Sequence, residues 1–500
     1  MAIDSGVDKD SKLRTGVATD ETFHIETHGI DYIPLADRHG RARELFWVWM
    51  GSNIIFTYII IGAALMSYGV SFWQAVLAVV VANVLFYICV AYGSVSGPRT
   101  GTSTMVVSRS SFGMFGVIPS AIANWLNVVG FVAVNAVIGT LALYQLAQKI
   151  SLPAGTPLKA ACLGFVLVVT FIVCVWGHAT LVLMQTVFSY GLGLGAIILA
   201  FYVLPHIHPS ASLPRPAGTT STGAFLLAFF LVASGPLSYI AVPADFSRYL
   251  SPATHSRSIT WWSGIGAIIP AVLLGVIGIA AATETDMTSP VDGIAKIVPD
   301  WFLVPFLAVI VGGSITNSFT SLYSSGLGLQ TMGVRWPRSR TILVDAAIAT
   351  AASIYAVFVH DFTATFLEFL ALLVLWAAPW GGVYLTDLLL RRNKFDNAAL
   401  HASGTGPYWY QRGWNVRGVI ALAVGIIVAA LFSNSALYKG PLVSSIGGGD
   451  LSVEAGFVTS AVLYLLLMRG QVRDQSQALS NAHQSLSSTT SAAVPAAGRS

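Results

Sequence analysis

The chain has 500 residues, 55% of them hydrophobic and only 10% charged, with a mean hydropathy of +0.72, whereas a soluble domain carries about 25% charged residues. That composition excludes a water-soluble globular protein and places the chain in a membrane. The net charge of +4 is explained by lysines and arginines in loops, so no nucleic-acid partner is implied.

Residues 1-44 are polar and read as a cytoplasmic N-terminal segment. No short cleavable apolar segment precedes the first long run, so no removed signal peptide is expected. Twelve apolar runs follow, each of roughly 18 or more residues and long enough to cross a core of about 30 Å. They lie at 46-68, 72-94, 114-147, 159-176, 180-204, 223-243, 258-282, 302-332, 341-360, 362-388, 418-434 and 451-469. Residues 471-500, rich in Ser, Ala and Gln, read as a disordered cytoplasmic tail. With the N-terminus inside, only Lys149, Lys159, Arg215, Lys296 and Lys439 of the 26 Lys and Arg fall outside. Basic loops are retained in the cytoplasm, which predicts a multi-pass protein of the inner (cytoplasmic) membrane with both termini cytoplasmic. Cys89, Cys162 and Cys174 lie in or beside spans without metal-ligand spacing and read as buried free thiols.

Two spans carry interruptions. In the first, Gly51-Ser52-Asn53, followed by Thr57 and Tyr58, sets a weak helix former beside groups able to satisfy loosened backbone. In the sixth, Ala233-Ser234-Gly235-Pro236-Leu237-Ser238-Tyr239 puts a helix-breaking dipeptide at mid-span. Lipid offers freed N–H and C=O groups no partner, so a break at that depth points to an internal site, a simple proline kink being the bland alternative. The interrupted spans stand five helices apart, the spacing of a five-helix unit repeated with inverted topology. Along the third span Asn124, Asn127, Phe131 and Asn135 share one helical face, and in the eighth Ser314, Asn317, Ser321 and Ser324 do the same beside Thr316. Hydrogen bonding between the two faces is the structural alternative to ligand binding. No phosphate-binding G-x-x-x-x-G-K-[ST] loop, H-E-x-x-H pair or soluble ATPase-sized domain is present. The run Gly191-Leu192-Gly193-Leu194-Gly195 lies inside a span, where small residues let helices approach closely.

Across roughly residues 25 to 470 the chain resembles nucleobase-cation symport family 1, the purine-cytosine permeases and their hydantoin and allantoin relatives. The segments that carry the resemblance begin with Glu26-Thr27-His28-Gly29-Ile30-Asp31-Tyr32-Ile33-Pro34 with Arg38, and Trp49-Met50-Gly51-Ser52-Asn53. They continue with Ser108-Arg109-Ser110-Ser111-Phe112-Gly113, Ala244-Asp245-Phe246-Ser247-Arg248-Tyr249, and Leu322-Tyr323-Ser324 leading to Gln330. The resemblance implies an all-α transporter at 45-470: repeat one about 46-204, repeat two about 223-388, helices 1 and 6 broken, and two extra helices at about 418-469. It implies substrate between spans one, three, six and eight, with Asn135 gripping a flat base, Phe131 one turn earlier, Asn317 and Ser321 in span eight, and the broken helices contributing Asn53, Ser234, Gly235 and Ser238. A cation site is implied at the carbonyls near Ser52 and Ile55 and the hydroxyl of Thr316. The chain departs from the family at Phe131, where a tryptophan is frequent, at Ser321 in place of an asparagine, and at Ile315, where sodium-coupled members carry a hydroxyl.

The chemistry agrees with a neutral, flat, polar ligand. An amide offers both donor and acceptor, so Asn135 and Asn317 match the edge of a heterocycle while Phe131 or Tyr239 covers its face. Glu368, inside span ten, is either a proton carrier or a neutral structural group; Asp245 and Arg248, at the inner end of span six, are either an inner gate or an interfacial ion pair. The expectation is cation-coupled symport of a nucleobase or related heterocycle by alternating access, with proton or sodium as coupling ion and no cofactor. A passive channel for small neutral solutes is the alternative, and an embedded enzyme lacks an assembled nucleophile and base. Nothing in the sequence bears on oligomeric state.

Overall fold

The computed structural model describes residues 29–173, 178–211, 213–334, 336 and 338–492. Residues 1-28, with the Glu26-Thr27-His28 part of the first motif, Cys174 and tail residues 493-500 lie outside them. Among the described residues the chain is helical, apart from isolated bridges at Gln411 with Trp414 and Asn434 with Lys439. The helices are α1 (Glu44–Asn53), α2 (Phe56–Met66), α3 (Phe72–Gly93), short α4 (Ser96–Thr100), α5 (Thr104–Val107) and α6 (Arg109–Phe112), then α7 (Ile118–Lys149), α8 (Thr156–Val173) and α9 (His178–Val203). Next come α10 (Ser221–Leu237), short α11 (Pro243–Ser247), α12 (Ser256–Glu284), α13 (Pro290–Ile297), α14 (Asp300–Thr331), α15 (Arg338–Phe358), α16 (Phe362–Arg391), α17 (Val416–Phe432) and α18 (Ser452–Ala492). Local chemistry marks several starts. Ser71 and Gln74 form a capping box on α3, and the Thr220 and Asp361 side chains accept from Gly223 N and Ala364 N at the heads of α10 and α16.

Among the described residues eight helices are long and apolar enough to cross a membrane, and α1 with α2, bent by 52°, pass the same test together as one broken span. The shorter apolar helices α8, α10 and α17 coincide with the predicted spans 159-176, 223-243 and 418-434. Loops predicted for one side meet there. Arg109 Nη1 donates to Leu400 O at 3.0 Å, Asn397 Nδ2 to Arg99 O at 3.2 Å and Ile33 N to Gly101 O at 3.0 Å, on the face carrying residues 29–43. On the opposite face Thr220 N donates to Gly447 O at 2.9 Å, and Lys149 pairs with Asp300 at 2.5 Å.

The first break falls at Ile54 and Ile55, which leave helical geometry at φ −82°, ψ 67° and φ −128°, ψ 150°. In the sixth span the break is displaced from its predicted place: α10 runs through Gly235 and Pro236 to Leu237, and the interruption is the turn at 238–242. Pro236 lacks a donor and crowds the carbonyl four residues back, yet the helix runs on through it for one more residue. The chain beyond it tightens into i to i−3 bonds, Tyr239 N to Pro236 O, Ile240 N to Leu237 O and Val242 N to Tyr239 O, each 3.1 Å, before α11 begins. A second difference is the tail, where α18 continues past 470 to Ala492. No Gly or Pro stands between 471 and 492, so a helix already nucleated in the span propagates at little cost.

The helices form two central layers with flanking helices. The bent span, α3, α10 and α12 make one layer, α7, α8, α14 and α15 the other, while α16, α17 and α18 lie together beside α10 and α9 packs on α14 and α1. The paired α7 and α14, both 32 residues long, stand five spans apart as the inverted repeat requires. Close approach of α2 and α12 depends on missing side chains: a Cβ at Gly62 would stand 2.1 Å from Gly275 O, and one at Gly278 would stand 2.2 Å from Ile59 O. Gly278→Val therefore forces two backbones apart, and the purified protein should melt lower by an amount equivalent to about 1 to 3 kcal/mol. Gly164→Val, at a position with open space around it, should melt like the parent; equal melting of both variants would refute the backbone-contact account.

Candidate functional site

The helical face carrying Asn135 on α7 meets the face carrying Asn317 on α14 at the break in the first span. Asn135 Nδ2 donates to Asn317 Oδ1 at 2.7 Å, and Asn317 Nδ2 donates to Ser52 O at 2.8 Å. Tyr239 Oη, from the turn that interrupts the sixth span, donates to the same carbonyl at 2.9 Å. Ser52 O therefore binds donors from both layers. Asn127 Nδ2, two turns before Asn135, donates to Ser238 O at 2.9 Å and so serves the second break. Asn135, Asn317, Ser52 and Asn127 are all buried, and the groups at this junction are amides, hydroxyls and carbonyls without formal charge.

The other predicted residues are placed as follows. Asn53 is buried and holds the first break: its Nδ2 donates to Trp49 O at 2.8 Å, and its Oδ1 accepts from Tyr58 and Tyr87, whose hydroxyls also touch each other. Gly235 leaves room for this cluster, since a Cβ there would stand 3.2 Å from the Tyr58 ring. The hydroxyls of Ser52, Ser234, Ser238 and Thr316 donate to carbonyls of their own helices, those of Val48, Leu231, Gly235 and Gly312, at 2.6 to 2.8 Å. Phe131 meets Phe369 of α16 edge to face at 5.3 Å. Ser321, one turn beyond Asn317, is half-buried and takes no part in the amide chain. Ile55 is extended, and its carbonyl accepts from Tyr58 N at 3.2 Å.

Beneath the junction the face carrying residues 29–43 is sealed. Trp49 packs edge-on against Tyr239 and Phe246, and Phe246 stacks on Tyr323. Arg248 and Asp245 are both buried and reach different partners. Arg248 donates to Gly29 O at 2.6 Å and to Tyr323 Oη at 2.8 Å, while Asp245 Oδ1 accepts from Thr104 N at 2.8 Å and Thr104 Oγ1 at 3.1 Å. The segment at 29–39 lies across this end: Ile30 N donates to Gln330 Oε1 at 3.0 Å, Thr102 Oγ1 to Ile30 O at 2.7 Å and His39 N to Tyr249 O at 2.8 Å. On the opposite face a cavity of about 460 Å³ opens between Tyr68, Phe230, Leu231, Leu367, Glu368 and Lys439. Glu368 thus lines this vestibule. A larger groove of about 890 Å³ beside α1, α9 and α12 is lined by Tyr190 and Leu194, 61% and 60% exposed; it belongs to the lipid-facing perimeter.

Sequence reasoning missed Tyr87, which looks like any other aromatic of an apolar span, and Asp345, which it had the means to find as an ionisable residue at membrane depth.

Comparison with known proteins adds three findings. The family described as "Permease for cytosine/purines, uracil, thiamine, allantoin" matches residues 32–453. A putative purine-cytosine permease of Bacillus subtilis is 27% identical over 469 residues, covering 90% of this chain and 97% of its own. A nucleobase-cation-symport-1 family transporter, solved in a closed conformation with bromovinylhydantoin bound, superposes with a TM-score of 0.71 at 18% identity over 89% of this chain and 96% of its own. Its inward-facing conformation gives 0.69 at 16% identity over 91% and 96%. The fold is therefore the five-plus-five inverted repeat with broken first and sixth helices.

The amide chain makes a stability prediction independent of any ligand. Asn317→Leu leaves Asn135 Nδ2 without its acceptor and Ser52 O with one donor fewer, which should lower melting by the equivalent of about 1 to 3 kcal/mol. Asn83→Leu removes an amide that bonds only Val79 O of its own helix and leaves its oxygen unpaired, and should be neutral or stabilising. If the two variants melt alike, the chain contributes nothing to holding the layers together.

Proposed function

The chain belongs to the family of permeases for cytosine/purines, uracil, thiamine and allantoin, and on that premise we propose that it imports an uncharged nucleobase or related flat heterocycle together with a cation. It is a secondary transporter, with no sign of an enzyme's chemistry in its family, and a passive channel is not favoured. The observation that carries the substrate reading is the neutral amide chain Asn135–Asn317–Ser52 O where the broken first span meets both layers. An amide pair bonded to each other and to one carbonyl, beside the Tyr239 hydroxyl, is suited to exchange those bonds for the donor and acceptor edge of a base. Phe131 or Tyr239 would cover its face, Ser321, Ser234, Gly235 and Ser238 would line the pocket, and Asn53 would hold the break rigid. The supporting relatives are named for purine and cytosine, and a fold neighbour is solved with bromovinylhydantoin bound.

The cation would be either sodium, at the carbonyls of Ser52 and Ile55 with Thr316 Oγ1, or a proton, for which Glu368 is the sequence's own candidate. Either ion accompanying a neutral base carries one charge, so 100 mV, negative inside, contributes about 2.3 kcal/mol to uptake. No cofactor is required by this chemistry. Asp245 and Arg248, with the segment at 29–39, would form the inner closure. The divisions at about 46-204, 223-388 and 418-469 are the two repeats and the extra helices, and the face carrying residues 29–43 would be cytoplasmic, in an inner-membrane protein with both termini inside.

Purified protein screened by thermal shift against cytosine, purines, hydantoins and allantoin should gain about 2.7 kcal/mol from its substrate at 100 times Kd. Asn135→Ala should weaken that ligand by about 1 to 3 kcal/mol, roughly tenfold to a hundredfold in Kd, while Asn83→Ala leaves it unchanged; normal binding by folded Asn135→Ala moves the site elsewhere. Orientation has its own check, in a background where Cys89, Cys162 and Cys174 are replaced. A cysteine at exposed Ala436 should react with an impermeant thiol reagent outside intact cells, and one at exposed Ser403 should not; the reverse pattern inverts the topology.

A further inference from the structure

Asp345 lies in α15 with 0% exposure. Each carboxyl oxygen meets one neutral donor from a different helix: Trp125 Nε1 of α7 reaches Oδ1 at 2.8 Å, and Ser325 Oγ of α14 lies 2.7 Å from Oδ2. The three residues stand about two turns in from the ends of their helices, all on the face carrying residues 29–43. An ionised carboxylate is stable at such depth only with a counter-charge or several donors. The elements packed against α15 supply no such charge among the described residues. Tyr144 and Lys149 of α7, Lys159 and Cys162 of α8, Asp300 of α14 and Glu368 of α16 belong to the opposite half of the membrane. Tyr323 of α14 is bonded to Arg248, and Tyr384 of α16 to Ser96. Asp387 and Arg391 of α16 pair with each other at 2.9 Å. On α15 itself, Arg338 is the first residue, two turns before Asp345, Arg340 is exposed and Tyr355 lies at the far end, also exposed, and the bonds of Asp345 among the described residues are those to Trp125 and Ser325.

A protonated carboxyl fits these surroundings. Its carbonyl oxygen accepts from Trp125, and its O–H donates to Ser325 Oγ, reversing the sense of that bond relative to the carboxylate. Ser325 shares α14 with Asn317 and Thr316, about 12 Å further along the helix, so the charge state of Asp345 bears on the same rigid element that carries the amide chain and the candidate cation ligand. We propose that Asp345 is the binding site of the coupling proton, which rests on the transporter reading above and assigns the proton to α15 in place of Glu368. The proton enters from the vestibule side, resides on Asp345 as the neutral acid while the base is bound, and leaves to the cytoplasm with it. No covalent bond to the base forms or breaks, and one positive charge crosses per base.

The test compares the full-length wild type, Asp345→Asn and Glu368→Gln in liposomes. Exchange of labelled for unlabelled cytosine, adenine, hydantoin and allantoin is measured without a gradient, and accumulation under an inward proton gradient; infrared difference spectra of the same proteins record the carbonyl stretch of protonated carboxyl groups against pH. Asparagine imitates the protonated acid, donating to Ser325 and accepting from Trp125. Asp345→Asn should therefore keep exchange, lose proton-driven accumulation and lose one protonated-carboxyl band, while Glu368→Gln keeps all three. A purely structural Asp345 would not separate exchange from accumulation. Accumulation by Asp345→Asn at the wild-type level, its loss in Glu368→Gln alone, or sodium-driven accumulation indifferent to pH would each overturn the assignment. Absence of exchange of all four heterocycles in the wild type would sink the transporter reading instead. In that case, or if Asp345→Asn loses exchange as well, the infrared band decides, and a spectrum unchanged by Asp345→Asn rejects the proton.

Discussion

A helix interrupted inside a membrane leaves backbone groups that lipid cannot satisfy, and the organisation of this protein follows from how those groups are met. Ser52 O is bound by an amide from α14 and a phenol from the turn after α10, and the carbonyl of Ser238 is bound by an amide from α7. Each break is thus closed by a residue of a different helix, which fixes where the two layers touch. The arrangement also makes the junction exchangeable. A net hydrogen bond contributes only about 0.5 to 1.5 kcal/mol when its partners have an alternative, so a ligand presenting the same donors and acceptors replaces these bonds at small cost, whereas an apolar one strands them.

Neutrality of the junction is the second constraint. Amides and hydroxyls recognise an uncharged heterocycle without the desolvation penalty that a buried ion pair carries, and the charged groups near the site are kept at its margins. Asp245 and Arg248 fasten the broken sixth span to Thr104, Gly29 and Tyr323, and Glu368 faces the vestibule. Asp345, buried between α7, α14 and α15, is the exception that the neutral junction leaves unexplained.

Much of this was legible because its signals are local. Asn135 and Asn317 stood out by helical spacing on faces of otherwise apolar spans, and Gly51-Ser52-Asn53 announced the first break by propensity. The position of the second break was misread because a proline removes one donor without stopping a helix, and the tightening that ends α10 after Leu237 depends on what receives its carbonyls. Tyr58 and Tyr87 could not be paired with Asn53 from sequence, since that contact joins α1, α2 and α3 through packing alone. The helical continuation of α18 was hidden by a composition that suits a disordered segment and an exposed helix equally.

The two faces are closed unequally, and the inequality bears on how access alternates. On one side the segment at 29–39, α11 and the end of α14 are tied by direct bonds, including two from the Arg248 guanidinium, while on the other a cavity of about 460 Å³ reaches down past Glu368. Charge-assisted bonds contribute about 1.5 to 3 kcal/mol and neutral ones less, so the sealed face is held by a few kcal/mol. That is within the range a bound ligand and ion shift through differential affinity for two states. The glycine contacts between α2 and α12 pack the bent span closely against its partner, and the bonds that join this layer to α7 and α14 at the breaks are those of the Ser52 and Ser238 carbonyls. Under the proposed function, a base that satisfied Asn135 and Asn317 would compete for the same few hydrogen bonds that join the layers at the first break.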